Sequence, residues 1–218
     1  YIAECRELGI ALLPPDINHY EDHFSVEEGG IRFGLGAVKN IGRGLIRSMA
    51  AKRREGGPFR SLQDFLERMD DGELNKRAVE NLIRCGAMDG LGCHRSELIG
   101  VYDAMMDSIS SSRKKNLEGQ LGLFSMLEDD SAAKMDIPKR AEFDKAELMA
   151  MEKETTGIYL SGHPMDDYRK LLKNTHVIPI GELMDEENHY EDNQVVSVAG
   201  IVQTVKTKST RNNSVMAY

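Results

Sequence analysis

The chain has 218 residues, room for one large domain or two small ones, and its 40% hydrophobic and 29% charged residues are the balance of a soluble globular protein. No apolar run approaches the roughly 18 residues of a membrane helix, nothing at the start resembles a signal peptide, and three cysteines are a sparse, odd set that suits a reducing cytoplasm. A net charge of -8 removes whole-chain attraction to a polyanion, so any nucleic-acid contact must rest on local charge.

In chain order, YIAECRELGI reads as a helix without a cap before Tyr1, stopped by Gly9, as if cut from something longer. Pro14-Pro15 forces an extended turn, and FSVEEGGIRFG pairs two short alternating runs across Gly29-Gly30, a hairpin signature. GAVKNIGRGLIRSMAAKRREGG then carries a helical stripe, Val38, Ile41, Leu45, Ile46 and Met49, interrupted by Gly42. The spacing predicts a short helix, a tight turn at Asn40 to Gly42 and a longer helix to Arg54. Ser61 with Asp64 predicts a capping-box-like start for SLQDFLERM, a third helix runs from Asn75 to Cys85-Gly86, and a long one starts near His94. Polar residues dominate from Ser108 to Arg140. AEFDKAELMAMEKETTG predicts a helix to Glu154, and Pro164 starts a short one through Lys173. QVVSVAGIVQTVKTK reads as one long strand and SVMAY as a second.

The chemistry-bearing stretch is basic. From Lys39 to Arg60 seven positive residues (Lys39, Arg43, Arg47, Lys52, Arg53, Arg54, Arg60) face Glu55 alone, a local charge of +6. Lys39-Asn40-Ile41-Gly42 between two helices, followed by Arg43 and Arg47, is the helix-hairpin-helix pattern that offers backbone N–H groups and a helix N-terminus to a phosphate. An ordinary helical turn with a solvated basic face is the competing reading. A second copy weakens that alternative: in NKRAVENLIRCGAMDGLGCHRSEL, Cys85-Gly86-Ala87 takes the hairpin's place, flanked by Lys76, Arg77, Arg84 and Arg95.

Other candidates carry less. Cys85, Cys93 and His94 fit no common zinc spacing, His163 before proline reads as structural, and Asp70-Asp71, Asp129-Asp130 and Asp166-Asp167 lack the rigid scaffold that two-metal chemistry needs. No catalytic residue and no metal ligand is assigned. Gln120, Leu121, Leu123 and Phe124 of QLGLF stand in a polar stretch, too short and too broken by Gly122 for a helical stripe. They read as a linear recognition peptide with apolar anchors, or as a loop folded back on the helices.

Seven motifs in order, LGIALLPPDIN, IRFGLGAVKNIG, GPFRSLQDFLERM, LNKRAVENLIRCGAMDGLG, QLGLF, EKETTGIYLSGHPMDDY and VAGIV with TKSTRNNSVMAY, resemble the alpha subunits of bacterial replicative DNA polymerase III, the C-family polymerases. The resemblance implies a mainly α fold, a tandem helix-hairpin-helix with further helices, a small N-terminal β-hairpin and a truncated C-terminal OB-fold element. It maps residues 1–35 to the end of the fingers, 36–127 to the duplex-binding and clamp-binding region, 128–193 to a linker and helical connector, and 194–218 to the start of the OB-fold. Implied partners are double-stranded DNA, the sliding clamp through Gln120, Leu121, Leu123 and Phe124, other holoenzyme subunits and, through the OB-fold, single-stranded template. The implied DNA contacts are Lys39, Asn40, Ile41, Gly42, Arg43, Arg47, Lys76, Arg77, Gly86 and Arg95. The palm carboxylates are absent, so Mg²⁺ and nucleotidyl transfer belong to the parent polymerase and this chain is expected to be inactive alone. The first hairpin departs from the family pattern at Asn40, often glycine, where asparagine tolerates a left-handed backbone. A stand-alone helix-hairpin-helix scaffold for DNA repair or recombination is the alternative.

Overall fold

Apolar spacing, local caps and glycine stops build this computed structural model, which describes residues 4–5, 8–19, 22–69, 72, 74–117, 136–173, 175–185, 190, 193–202, 204–209 and 215–217. The chain divides into two units, Tyr1–Ser161 and Gly162–Tyr218.

The first unit opens on a small sheet of β1 (Ala11–Leu13), β2 (Ser25–Glu27) and β3 (Gly30–Arg32), ordered β1-β3-β2. β2 and β3 are antiparallel with Glu27 opposite Gly30, so the turn falls on Glu28-Gly29, one residue before the expected Gly29-Gly30. Gly29 supplies the left-handed backbone, φ 98°. Gly30 instead lies in the strand against β1, where a Cβ would sit 2.2 Å from the Ala11 carbonyl oxygen. The parallel pairing of β1 with β3 has no signature in the local pattern.

A 3₁₀ turn at Leu35–Ala37 precedes five helices: α1 (Arg43–Gly56), α2 (Leu62–Arg68), α3 (Lys76–Arg84), α4 (Arg95–Leu117) and α5 (Lys145–Thr156). Each start has its own cause. Ser61 Oγ caps α2 by accepting the Asp64 N–H at 3.1 Å, while the Asp64 carboxylate takes the Arg60 amide rather than that of Ser61. Asn75 caps α3 through the Ala78 N–H, and Asp144 with Glu147 forms a reciprocal capping box on α5. α5 stops at Gly157, φ 83°.

The apolar faces meet in one core that includes Ile17, Val38, Ile46, Phe65, Val79, Leu82 and Leu98. Burying each such large side chain contributes about 1.5–3 kcal/mol. Asn18 ties the approach loop to the start of α2: its side-chain amide donates to the Phe59 carbonyl at 2.9 Å and accepts the Phe59 N–H at 2.7 Å. The mainly α class with a small N-terminal sheet is thus as expected.

In the second unit the helix expected from Pro164 is a 3₁₀ turn at Asp166–Tyr168 running into α6 (Arg169–Leu172), followed by α7 (Ile180–Leu183). His163 Nδ1 accepts the Met165 amide, the structural role expected of it. The single long strand across 194–208 is corrected. β4 (Thr207–Ser209) pairs antiparallel with β5 (Val215–Ala217), and within 194–202 the described residues show one bridge, Ser197 to Val177. An alternating valine run becomes a strand only where neighbouring strands take its edges and a core takes its apolar face; here Val195, Val198 and Val202 stay exposed.

Candidate nucleic-acid interface

The first hairpin turn is held by backbone hydrogen bonds while its basic side chains point outward. Asn40 has φ 62°, the left-handed conformation that asparagine accepts at modest cost. Ile41, buried in the core, pins the turn, and Gly42 is the N-cap of α1 with extended backbone, φ -80° and ψ 150°. Among the described residues no side chain caps α1, and a Cβ at Gly42 would meet nothing within 4 Å, which leaves the first-turn amides uncapped by them. Lys39, Arg43 and Arg47 are all exposed around this end. The Arg43 side chain is 78% exposed and lies 3.9 Å from Asp22, while Arg47 Nε donates to the Arg43 carbonyl at 3.3 Å. Asp22, Arg43, Ile46 and Arg47 line a shallow groove there. Positive side chains beside uncapped helix amides form a receptive end for an anion.

The second turn is built differently. Gly86, φ 85°, is buried and terminates α3, with the Gly86 and Ala87 amides returned to the Ile83 and Leu82 carbonyls. The chain then passes through Asp89–Leu91 and Gly92, φ 76°, before entering α4. The turn facing the α4 N-terminus is therefore Asp89–Gly92, not Cys85-Gly86-Ala87. Cys85 is buried and its thiol donates to the Leu82 carbonyl; burial pushes its pKa up to about 12.

Arg95 is the clearest correction among the expected DNA contacts. Its side chain is 6% exposed, forks onto Asp89 at 2.9 and 2.7 Å, and donates to the Arg84 carbonyl and to Glu152. Burial opposes its charge, but Asp89 and Glu152 outweigh that and raise its pKa. A Cβ at Gly86 would lie 2.3 Å from this guanidinium, so glycine is required there by packing as well as by φ. Both residues are internal and unavailable to a phosphate. The first-turn amides of α4 are also taken, since the Glu142 carboxylate accepts from Arg95 N–H at 2.8 Å and Ser96 N–H at 3.1 Å. Glu97 accepts the His94 and Arg140 amides, chiefly the former, which lowers its pKa.

Lys76 and Arg77 lie exposed at the start of α3. Lys76 Nζ sits 2.6 Å from Asp103 and 2.8 Å from Asp107 on α4, contacts that raise its pKa, Asp103 first. Arg84 pairs with Glu154 and Glu80. Sequence reasoning missed Asn81, Glu142 and Glu152; their contacts to Lys39, Ser96 and Arg95 span 42 to 57 residues, beyond any local pattern. Gln120, Leu121, Leu123 and Phe124 lie outside the described residues. Among the described residues no three His, Cys, Asp or Glu side chains gather as a metal site.

Residues 9–98 match the family model described as a helix-hairpin-helix motif. The DNA polymerase III subunit alpha of Thermus aquaticus is 36% identical over 217 residues, 100% of this chain and 17% of that protein. That of Chlamydia pneumoniae is 35% identical over 95% of this chain and 17% of its own length, and that of Borreliella burgdorferi 33% identical over 100% and 19%. This chain thus spans less than a fifth of the curated relatives it matches. Over its whole length this chain is similar to one segment of bacterial DNA polymerase III alpha subunits.

Proposed function

We propose that this chain is the duplex-gripping and clamp-tethering part of a replicative DNA polymerase of the bacterial cytoplasm, and that it retains DNA rather than making bonds. The observation that carries this reading is the first turn: an uncapped helix N-terminus with Lys39, Arg43 and Arg47 exposed around it. Such a site takes phosphates without reading bases. Arg77, and Lys76 when released from its aspartates, extend the positive surface. The similarity of the whole chain to alpha-subunit segments favours this over a stand-alone repair or recombination scaffold.

In the same reading residues 1–35 close the fingers, residues 36–127 carry the DNA and clamp contacts, 128–193 connect, and 194–218 begin an OB-fold that meets single-stranded template. Gln120, Leu121, Leu123 and Phe124 dock on the sliding clamp, and other holoenzyme subunits complete the assembly. Two modest grips on one polymerase multiply, because each raises the effective concentration for the other.

The test is binding of the purified chain to duplexes of unrelated sequence across a salt series, with primer extension in Mg²⁺ and all four nucleotides alongside. The expected result is near-equal affinity for each sequence, a steep fall with salt and no extension. Sequence-selective binding, or none at low salt, would contradict the proposal.

A further inference from the structure

Helix α5 reaches both hairpin turns, the first directly through Thr155 and the second through Arg95, and neither contact is used by the phosphate-gripping surface itself. The Thr155 carbonyl at the end of α5 accepts the Lys39 N–H at 2.8 Å, and the Lys39 carbonyl in turn accepts from the Asn81 side-chain amide of α3 at 2.6 Å. Both backbone groups of Lys39 are therefore fixed from outside its own turn. One helical turn earlier, Glu152 is 1% exposed. Its Oε1 accepts from Arg95 at 3.3 Å, and its Oε2 from the Leu160 amide at 3.0 Å, the Ser161 amide at 2.9 Å and the Ser161 hydroxyl at 3.0 Å. Arg95 is itself locked to Asp89 of the second turn. Upstream of α5, Glu142 holds the Arg95 and Ser96 amides, and the Ala141 carbonyl accepts the Ser96 hydroxyl.

We infer that residues 139–161 together with Asn81 of α3 form a clasp that sets the first turn for DNA, with Glu152 and Asn81 as its positioning residues. The two turns then have unequal work. The first grips phosphate; the second, with its helix amides and Arg95 consumed internally, is the anchor on which the clasp is fixed. A buried carboxylate is retained here because it joins three segments, α5, the 160–161 turn and the start of α4, through four hydrogen bonds that an apolar side chain would leave unmade. Asn81, 8% exposed, acts across the short gap between α3 and Lys39 as a substitute for a backbone donor.

The inference rests on the proposed duplex grip, and the test separates the two. Glu152→Gln keeps an acceptor for the Leu160 and Ser161 amides and removes the charge facing Arg95; Asn81→Ala removes the donor to Lys39. Two quantities are measured on folded protein: duplex affinity over a salt series, and amide hydrogen exchange. The expected result for each variant is duplex binding about 5- to 10-fold weaker with an unchanged salt slope, since no phosphate contact is deleted. The Lys39 amide should exchange at least about 10-fold faster while the core amides of Val79 and Leu98 keep their protection. Wild-type duplex affinity in both variants, or an unchanged Lys39 exchange rate, would overturn the clasp. If Glu152→Gln does not fold, Asn81→Ala, which leaves the Arg95 pairing intact, decides alone. If the unaltered chain binds no duplex, the grip itself has failed, and the exchange arm still judges whether the clasp sets the first turn.

Discussion

In the proposed duplex grip, the partners of Lys76 on its own chain compete with DNA. Its Nζ lies 2.6 Å from Asp103 and 2.8 Å from Asp107, one helical turn apart on α4, with the lysine 46% and the aspartates 59% and 65% exposed. At that exposure the ion pairs hold the chain together weakly, so replacing both acids should leave the fold intact. Asp103→Asn with Asp107→Asn frees Lys76 for a phosphate and removes two negative charges beside it. One added phosphate partner steepens the log-log salt dependence by about 0.9, so the variant's advantage over the parent chain should grow about 3.5-fold between 200 and 50 mM salt. Fluorescence anisotropy on one duplex at four or more salt concentrations reads both slopes, with a melting curve to confirm equal folding. Parallel slopes at equal affinity would refute the reasoning and place Lys76 away from the DNA.

Further outcomes follow from other parts of the chain. Leu123→Ala with Phe124→Ala should weaken binding to a sliding clamp by about 2–4 kcal/mol, as buried anchors do, with duplex binding and melting temperature unchanged; a lower melting temperature with clamp affinity intact would return these residues to the chain's own core. Asn40→Val places a β-branched residue at φ 62° and should cost about 1–3 kcal/mol by denaturant titration, whereas Asn40→Gly should be tolerated. Glu97 is held below its ordinary 4.5 by the His94 amide first, and Glu142 below 4.5 because the Phe143, Arg95 and Ser96 amides outweigh burial. Their folded pKa values lie under the unfolded ones, so this stability is present above pH 4.5 and is lost as pH falls through the folded values. Thermal melts from pH 6 to 3 should show that decline, and Glu97→Gln with Glu142→Gln should flatten it.

What the sequence discloses and withholds follows the range of each interaction. Ser61 and Asn75 announce helix starts because a cap acts within three residues, and Gly86 announces a stop for the same reason. The first turn is legible as Lys39 to Gly42 because its stripe, its breaker and its charges are contiguous. The second lies a few residues from where the local pattern puts it: Gly86 looks like a hairpin glycine but ends α3, while Gly92 serves the turn into α4. Arg95 reads as a surface cation in a local window, and Glu152, 57 residues later, covers it from a side no local pattern shows. The parallel pairing of β1 with β3 and the fate of the valine run at 194–202 likewise depend on what packs alongside, which no periodicity records.

In the proposed grip, phosphates are held at the start of α1 by the three exposed cations around it. Lys39→Ala, Arg43→Ala and Arg47→Ala together, measured against the parent chain over a salt series on a duplex of arbitrary sequence, test it most directly. The log-log slope should flatten by about 2 to 3 units, near one for each phosphate no longer neutralised, with the melting temperature unchanged. A slope that does not move would contradict it and place the DNA elsewhere on the chain.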